Sequence, residues 1–516
     1  MKFFFIAALL LPVLISAQNV FDDSGFGFAE SESGGFGFED VSPPGWKSSV
    51  FANIGGEISA GFTGFFDNFE SLDVLKDTEL GDVFSGSLKV RAGGPSADGV
   101  INLNMHPVFD GTSPIEIDEA YLRAFFGPFS IQGGLRKLFW GKADSMGPLD
   151  VINPLDYRDL TKLSDPQSVK IARPMIQSAI ALNSFTKLEA VFVPWFQGHR
   201  FAATGRWMPD QIGGAIDIIA AEINKKAAEY LTAIYMANSQ TDPDIAIKIN
   251  EREKFIQMKM GELMSSINLE NLYPYTRTIR YAQSGMRFTT SAGSSDFGFQ
   301  YYFGRNFRPV ITFSVDDGIF TPYDPLDPYN PDTEPNINTE KVHLNVTYNY
   351  YHQIAFDFAR VIAGFNIRAE AGVNLTRDLY GTNGTVENPS VVWSLGFDRN
   401  LFAGINLNLQ GTGRYMIHHG KLGATLLNDC EAGKNLTSTR LTGVLSKKFI
   451  RDELELKVSG LWGIEDKDFL VMPAIVWSRN GVTAELSAGI FGGDRKGELG
   501  QYKDNGFIRA GLSYKF

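Results

Sequence analysis

Any chemistry this chain performs must come from a short list of side chains. It has six histidines, at His106, His199, His343, His352, His418 and His419. The adjacent His418 and His419 would point to opposite faces of an extended backbone, which makes them a poor chelating pair. No His-Glu-x-x-His, phosphate-cradling Gly-Lys motif or nucleophile elbow is present. Cys430 is the single cysteine; it has no partner for an internal disulfide, lacks Cys or His neighbours at metal spacing, and reads as a loop residue. Scattered Ser, His and carboxylates do not make a triad without geometry, so neither an enzyme nor a cofactor is expected. A net charge of -12 argues against nucleic acid as a partner.

What remains is a set of charges recurring at every second position, and period two belongs to strands. In the last segment Ile508, Ala510, Leu512, Tyr514 and Phe516 share one face, while Arg509, Gly511, Ser513 and Lys515 share the other. The same split recurs along Leu454–Trp462, Val482–Ala488, Ile405–Gln410 and Phe365–Ala371. A soluble sandwich alternates as well, so three further features decide. Apolar parity persists for unusually long runs from Phe297 to Val315, interrupted by Arg305 and Pro309, and from Val342 to Phe358, interrupted by His352. Strands of globular proteins stop after about 5–6 residues, whereas tilted membrane strands need about 9–11 and can project further. Connections alternate between short turns, such as Gly127-Pro128 and Ala363-Gly364, and long loops, such as Lys142–Arg173 and Phe196–Thr276. Third, the chain finishes on an aromatic strand ending in Phe516.

These features predict an all-β fold over residues 48–516: one transmembrane antiparallel β-barrel of about 18 strands, within 16–20, with both chain ends on the side of the short turns. No stretch of about 18 or more apolar residues occurs to make a helical span. Residues 1–17 read as a secretory signal, with Lys2 ahead of the apolar run Phe3–Ile15. Residues 18–47 form an acidic leader carrying Phe-Gly-Phe twice, which cannot bury a core and should be disordered. One insertion, 209–268, changes period: Ile212, Ile216, Ile219, Ile223, Ala227 and Leu231, then Ile245, Ile249, Ile256, Met260, Leu263 and Ile267, recur at helical spacing. It reads as a helical hairpin in an outer loop. Packing of the two helices on each other and folding over the mouth are both open.

The final Tyr514 and Phe516 look like the C-terminal assembly signal of outer-membrane barrels. The segment Gly133-Gly134-Leu135-Arg136, Trp140-Gly141, Asn153-Pro154-Leu155-Asp156 resembles a strand and loop of porin-like bacterial outer-membrane barrels, related in style to alginate exporters. That resemblance implies the bacterial outer membrane, its lipid, periplasmic chaperones and barrel-assembly machinery as partners, and passive passage of a small-molecule solute. The alternative is a surface adhesin or structural barrel with a blocked lumen.

Polar parity assigns candidate pore-lining residues: Lys89, Arg91, Arg123, Arg136, Arg368, Arg414, Arg440, Lys457 and Arg509, with Glu57, Glu119, Asp357, Glu370, Glu455 and Glu485. Bases outnumber acids in this set, so a mild anion preference is one expectation; a wall of salt bridges is the other. Trp140, Asn153, Pro154 and Asp156 are candidates for an inward-folded constriction, or else for a strand end at an aromatic girdle followed by a rigid turn.

Overall fold

The computed structural model describes residues 50–66, 78–79, 84–106, 114–144, 146–163, 165, 168–266, 273–321, 332 and 336–516. The expected signal and acidic leader lie outside these. Eighteen long strands form a closed antiparallel barrel. In chain order they are β1 Phe51–Phe66, β2 Phe84–Gly93, β3 Ala97–Met105, β4 Ile115–Phe126, β5 Phe129–Arg136, β6 Arg173–Asn183, β7 Thr186–Val193, β8 Gln283–Ala292 and β9 Ser295–Arg305, followed by β10 Tyr350–Ile362, β11 Phe365–Thr376, β12 Ser390–Asn400, β13 Ile405–Met416, β14 Thr437–Phe449, β15 Leu454–Gly463, β16 Asp468–Arg479, β17 Val482–Gly493 and β18 Gly506–Lys515. Each pairs with its chain neighbours. Closure comes from β1, whose first part pairs with β2 while Glu57–Phe66 pair with Gly506–Lys515.

Every turn on one rim is short, including Gly127-Pro128, Ala363-Gly364 and Asn480-Gly481, and the start of β1 and the end of β18 lie on that rim. All the long connections leave the other rim, where residues 464–467 form its one short turn among the described residues. The alternation read from the sequence therefore matches the barrel.

Burial follows the same parity. Outward side chains such as Ile58, Phe62, Leu122, Phe299, Ile354, Leu395, Ile475, Leu486 and Leu512 are open on the barrel's outside. Inward ones such as Asp98, Gln132, Gln177, Gln300, Gln353 and Asp357 are buried. An apolar belt around a closed barrel is stable only where lipid covers it, and closure leaves no unpaired backbone at membrane depth. No described helix is long and apolar enough to cross a membrane.

The two long runs differ from the sequence reading. Each breaks: β9 ends at Arg305 and a new strand runs Val310–Val315, while Val342–Thr347 ends before β10 begins at Tyr350. Pro309 has no N–H to continue the ladder. The upper pieces form their own two-stranded hairpin, raised above β9 and β10. It supports the insertion, which forms helices α1 Asp210–Asn238 and α2 Ile245–Ser266. Ile223, Ala227 and Leu231 of α1 and Ile256 and Met260 of α2 pack with Ile319, Phe320, Phe313 and Val342 of the hairpin region. Lys226 pairs with Asp317 at 2.7 Å.

Leu512 is 55% exposed on the outer face, while Arg509 takes the opposite parity on β18. Leu512→Arg should cost about 2–4 kcal/mol near the membrane midplane, read as a lowered urea midpoint in lipid. A water-soluble thiol reagent should label a cysteine at 509 faster than one at 510; reversed labelling would contradict the assigned faces.

Candidate functional site

The barrel interior is where the sequence's charged residues converge, and two segments of the outer rim descend into it. The first is 137–172, between β5 and β6. Asn153 is 2% exposed and holds its two ends together. Its Oδ1 accepts from the amide of Leu138 at 2.8 Å, and its Nδ2 donates to the carbonyls of Arg136 at 3.0 Å and Ile171 at 2.8 Å. The amide of Ile171 donates to the carbonyl of Pro154 at 2.8 Å. Trp140 is buried against Tyr302, edge to face at 6.2 Å, with Leu138, Ile152, Met175, Val191 and Val193 around it. Its place is inside the wall, not in an outer girdle.

From that base the segment reaches across the interior. Glu370 on β11 accepts hydrogen bonds from the amides of Lys142 and Ala143. Gly141 lies against this carboxylate with φ 99°, where a Cβ would collide with it, so glycine is needed here. Asp144 pairs with Arg368, accepts from Asn408 at 2.9 Å, and donates its amide to Gln410 at 2.9 Å. Gln300 and Gln353 donate to the carbonyls of Leu149 and Pro148 at 3.0 and 3.1 Å. On the far wall Leu160 and Leu163 pack among Phe65, Leu470, Met472, Phe491 and Phe507.

The second segment follows β7. Phe196 packs on Tyr348 at 4.6 Å, His199 on Phe307 at 5.0 Å and Tyr157 at 5.3 Å, and Phe201 stacks on Tyr157 at 5.5 Å. The chain then arrives at Trp207, packed with Phe65, Phe491 and Tyr502. The amide of Asp210 donates to Gln501 at 2.8 Å. β7 and the β17–β18 connection lie on opposite sides of the ring, so residues 196–209 cross it. α1 then runs back toward the raised hairpin; its stretch from Asp210 to Ile223 is about 20 Å long at 1.5 Å per residue. Arg173, 1% exposed, ties both segments to the wall by donating to the carbonyls of Ile152 at 2.9 Å and Trp195 at 2.6 Å.

Above the inserted segments Glu498, from the β17–β18 connection, joins three sectors. It pairs with Arg308 from the β9–β10 connection and with Arg440 of β14 at 2.7 Å. The Arg308 guanidinium, more than burial opposes it, holds this carboxyl far below the usual range, with Arg440 adding to the effect. Burial, then the charge of Arg308, push His199 down to about 3. Its neutral Nδ1 accepts from the amide of Leu155 at 2.8 Å. Burial raises Tyr157 to about 12, so the centre of this cluster is Tyr157 and His199 in their neutral forms.

The remaining charges predicted from parity fall into distinct places. Arg91 and Arg123 share the buried Asp98, at 2.9 and 2.6 Å. Arg136 donates to Gln177 at 2.9 Å, in a chain that continues through Gln132 and Glu189. Asp357 pairs with Arg287 at 2.7 Å and Arg414 with Glu431 at 2.7 Å. Glu119 accepts from the amide of Lys137 at 2.8 Å. Arg368 and Glu370 are 6% and 3% exposed beneath the inserted segment and serve as its supports. Lys89, Lys457, Glu455, Glu485 and Glu57 lie on inward parity toward the short-turn half, and Arg509, opposite Thr63, on inward parity toward the long-loop half. Asp156 binds Arg158 at 2.6 Å and faces Arg200 at 3.7 Å. Cys430 is a half-buried free thiol in an outer loop.

Sequence parity missed Asp98, Arg173, Asp144 and Glu498. Asp98 was accessible to the same reasoning; the other three sit in or beside loops, where no period exists. It also missed the apolar inner wall, although its signal is present: Phe469–Trp477 is apolar on both parities, as a strand covered on both faces must be.

No family model matches the chain, and no curated protein matches it. Solved structures similar to it include OccAB4 of Acinetobacter baumannii (8% identity, 90% of this chain and 98% of that one, TM-score 0.45) and OccK2 of Pseudomonas aeruginosa (9%, 90% and 98%, 0.42). The outer membrane channel DcaP of A. baumannii is another (10%, 91% and 98%, 0.38). At these values, function follows from the geometry of this chain alone.

The depressed Glu498 carboxyl contributes stability that is complete above the unfolded carboxyl value, about 4.3, and is lost only as pH falls through its folded value. Its side chain is 36% exposed, so solvent screens part of the effect. Glu498→Gln should therefore speed proteolysis of the outer loops at pH 7 and at pH 5 alike. The difference from the parent should narrow only below about pH 4.3; a difference that vanishes already at pH 6 would exclude the latch.

Proposed function

We propose that this protein is a pore of the bacterial outer membrane, restricted by its own inserted segments and passing small solutes without a covalent step. One observation carries the reading: a closed barrel that is apolar outside encloses an interior lined by Arg, Asp, Glu, Gln and Asn. On this reading 137–172 is the constriction, built on Trp140, Asn153 and Pro154 and aimed by Asp156, Glu370 and Arg368. A small cavity beside it is lined by Asp144, Asn408 and Gln410 together with Met146, Leu163 and Met472. Passage past these favours compact solutes with both a polar and an apolar side. Because Arg91, Arg123, Arg368, Arg414 and Arg440 are matched by carboxylates, ion selectivity should be weak and any anion preference small. Assembly would use the chaperones and barrel-assembly machinery of the periplasm.

The rival reading, a surface adhesin or structural barrel with a blocked lumen, is favoured by the same filling: Phe65, Leu160, Leu163, Trp207, Leu470 and Phe507 form a dry core inside the barrel. Reconstitution of the full chain in planar bilayers separates the two. Small, discrete conductance steps are expected. Deleting 210–266 behind a short Gly-Ser bridge should leave assembly intact and raise the step size, as should Glu370→Ala, which frees the Lys142 and Ala143 amides. A correctly assembled parent and variants that all remain silent would reject the pore and favour the adhesin. Conductance unchanged by the deletion alone would reject α1 as a lid.

A further inference from the structure

The lipid-facing side of β9 and β10 changes character at its upper end. Phe297, Phe299 and Phe356 continue the apolar belt, and then the row becomes Tyr301, Phe303 and Arg305 beside Tyr350 and His352. The Tyr301 hydroxyl lies 2.8 Å from His352 Nδ1, and the rings of Phe303 and Tyr350 enclose the imidazole at 5.0 and 6.3 Å. Arg305 stacks over Tyr281 at 4.4 Å and Tyr350 at 6.0 Å. It donates to the carbonyls of Tyr348 at 2.6 Å and Arg280 at 3.1 Å, while its Nε is buried without a partner. Immediately above, Arg277 and Arg280 are exposed, flanked by Tyr275 and Ile279, each 74% exposed.

These two parity exceptions, His352 and Arg305, have no part in the pore. A cation on the lipid face is costly at the midplane and tolerated at the interface, where aromatic rings and guanidiniums meet headgroups. Six arginines of the interior, by contrast with these, are matched: Arg91, Arg123, Arg287, Arg368, Arg414 and Arg440 each pair with a carboxylate. Among the described residues neither Arg277, Arg280 nor Arg305 forms a salt bridge. Three guanidiniums gathered at the interface without a counter-charge complement an anion, and the planar guanidinium fork suits phosphate.

The geometry points to a seat for a phosphate-bearing anionic lipid of the surrounding leaflet, with its headgroup on Arg277 and Arg280, its hydroxyls against the Tyr301–His352 pair, and an acyl chain along Met286, Phe299 and Ile354. Those three side chains are about half exposed, at 51%, 51% and 57%, and lie below the arginines in the direction an acyl chain must run. The assignment rests on the membrane-barrel reading, whose failure would show separately as a chain that does not assemble in lipid.

Native mass spectrometry of the full-length barrel released from detergent tests it, with diphosphorylated lipid A, phosphatidylglycerol and zwitterionic phosphatidylcholine as probes. The parent should retain the two anionic lipids in preference to phosphatidylcholine. At about 1 kcal/mol per basic residue near an anionic surface, Arg277→Gln with Arg280→Gln should weaken retention about thirty-fold while leaving conductance and assembly unchanged. His352→Phe, which keeps the aromatic packing, should weaken it less. Equal retention of all three lipids, or unchanged retention in the double variant, overturns the proposal. So does displacement by an equal concentration of inorganic phosphate, which would mark a free-anion site. A change in subunit number in the double variant would mark the patch as an interface between copies of this chain. Should the double variant fail to assemble, each single Arg→Gln variant is read in the same way.

Discussion

A backbone amide facing lipid has no water to bond, and leaving it unpaired costs several kcal/mol. That constraint explains why β1 pairs on both sides, with β2 along its first part and with β18 from Glu57 to Phe66. It also explains why the belt of Ile58, Phe62, Leu486 and Leu512 can sit on the outside. Once the ring is closed, inward parity has no lipid to satisfy and must be filled by water, by other side chains or by chain returning from a loop.

This barrel uses side chains and returning chain unequally around its circumference. Along β2–β11 the inner wall carries internally matched polar groups, Arg91–Asp98–Arg123, Gln132–Gln177–Glu189 and Arg287–Asp357, beside the apolar patch of Met175, Val191, Val193 and Tyr302 that Trp140 covers. From β15 round to β1 its long-loop half carries Phe65, Leu470, Met472, Phe491 and Phe507, which Leu160, Leu163 and Trp207 of the inserted segments cover. The inserted chain is held on the polar side by its own backbone. Glu370, Gln410, Gln300 and Gln353 bind main-chain amides and carbonyls of 142–149, because a loop brought into an enclosed space must find partners for its peptide groups. The charged wall is therefore as much a scaffold for the inserted chain as a lining for a passage.

The outer rim repeats the pattern at larger scale. Residues 196–209 cross from β7 to the far side, α1 returns, and Glu498 links Arg308 to Arg440 between them. Ile223, Ala227 and Leu231 of α1 meet both Ile256 and Met260 of α2 and the raised hairpin, so the helices pack on each other and on the rim. The hairpin begins beyond the break after Arg305, where Pro309, just ahead of Val310, has no N–H with which to join the two ladders.

The sequence by itself determined the barrel, its strand number to within two, the rim on which long loops lie and the face that the alternating strand residues take, since alternation and turn chemistry act over a few neighbours. Asn153, Pro154 and Trp140 were visible as unusual residues, but their part in clasping the inserted segment was not. Only the tertiary structure decided that Arg368 and Glu370 lie beneath that segment, that Asp98 answers two arginines, and that Arg308, Arg440 and Glu498 meet. Glu370 and Lys142 are 228 positions apart. Contacts of that range depend on where a loop falls after the ring has closed, and nothing periodic along the chain encodes it.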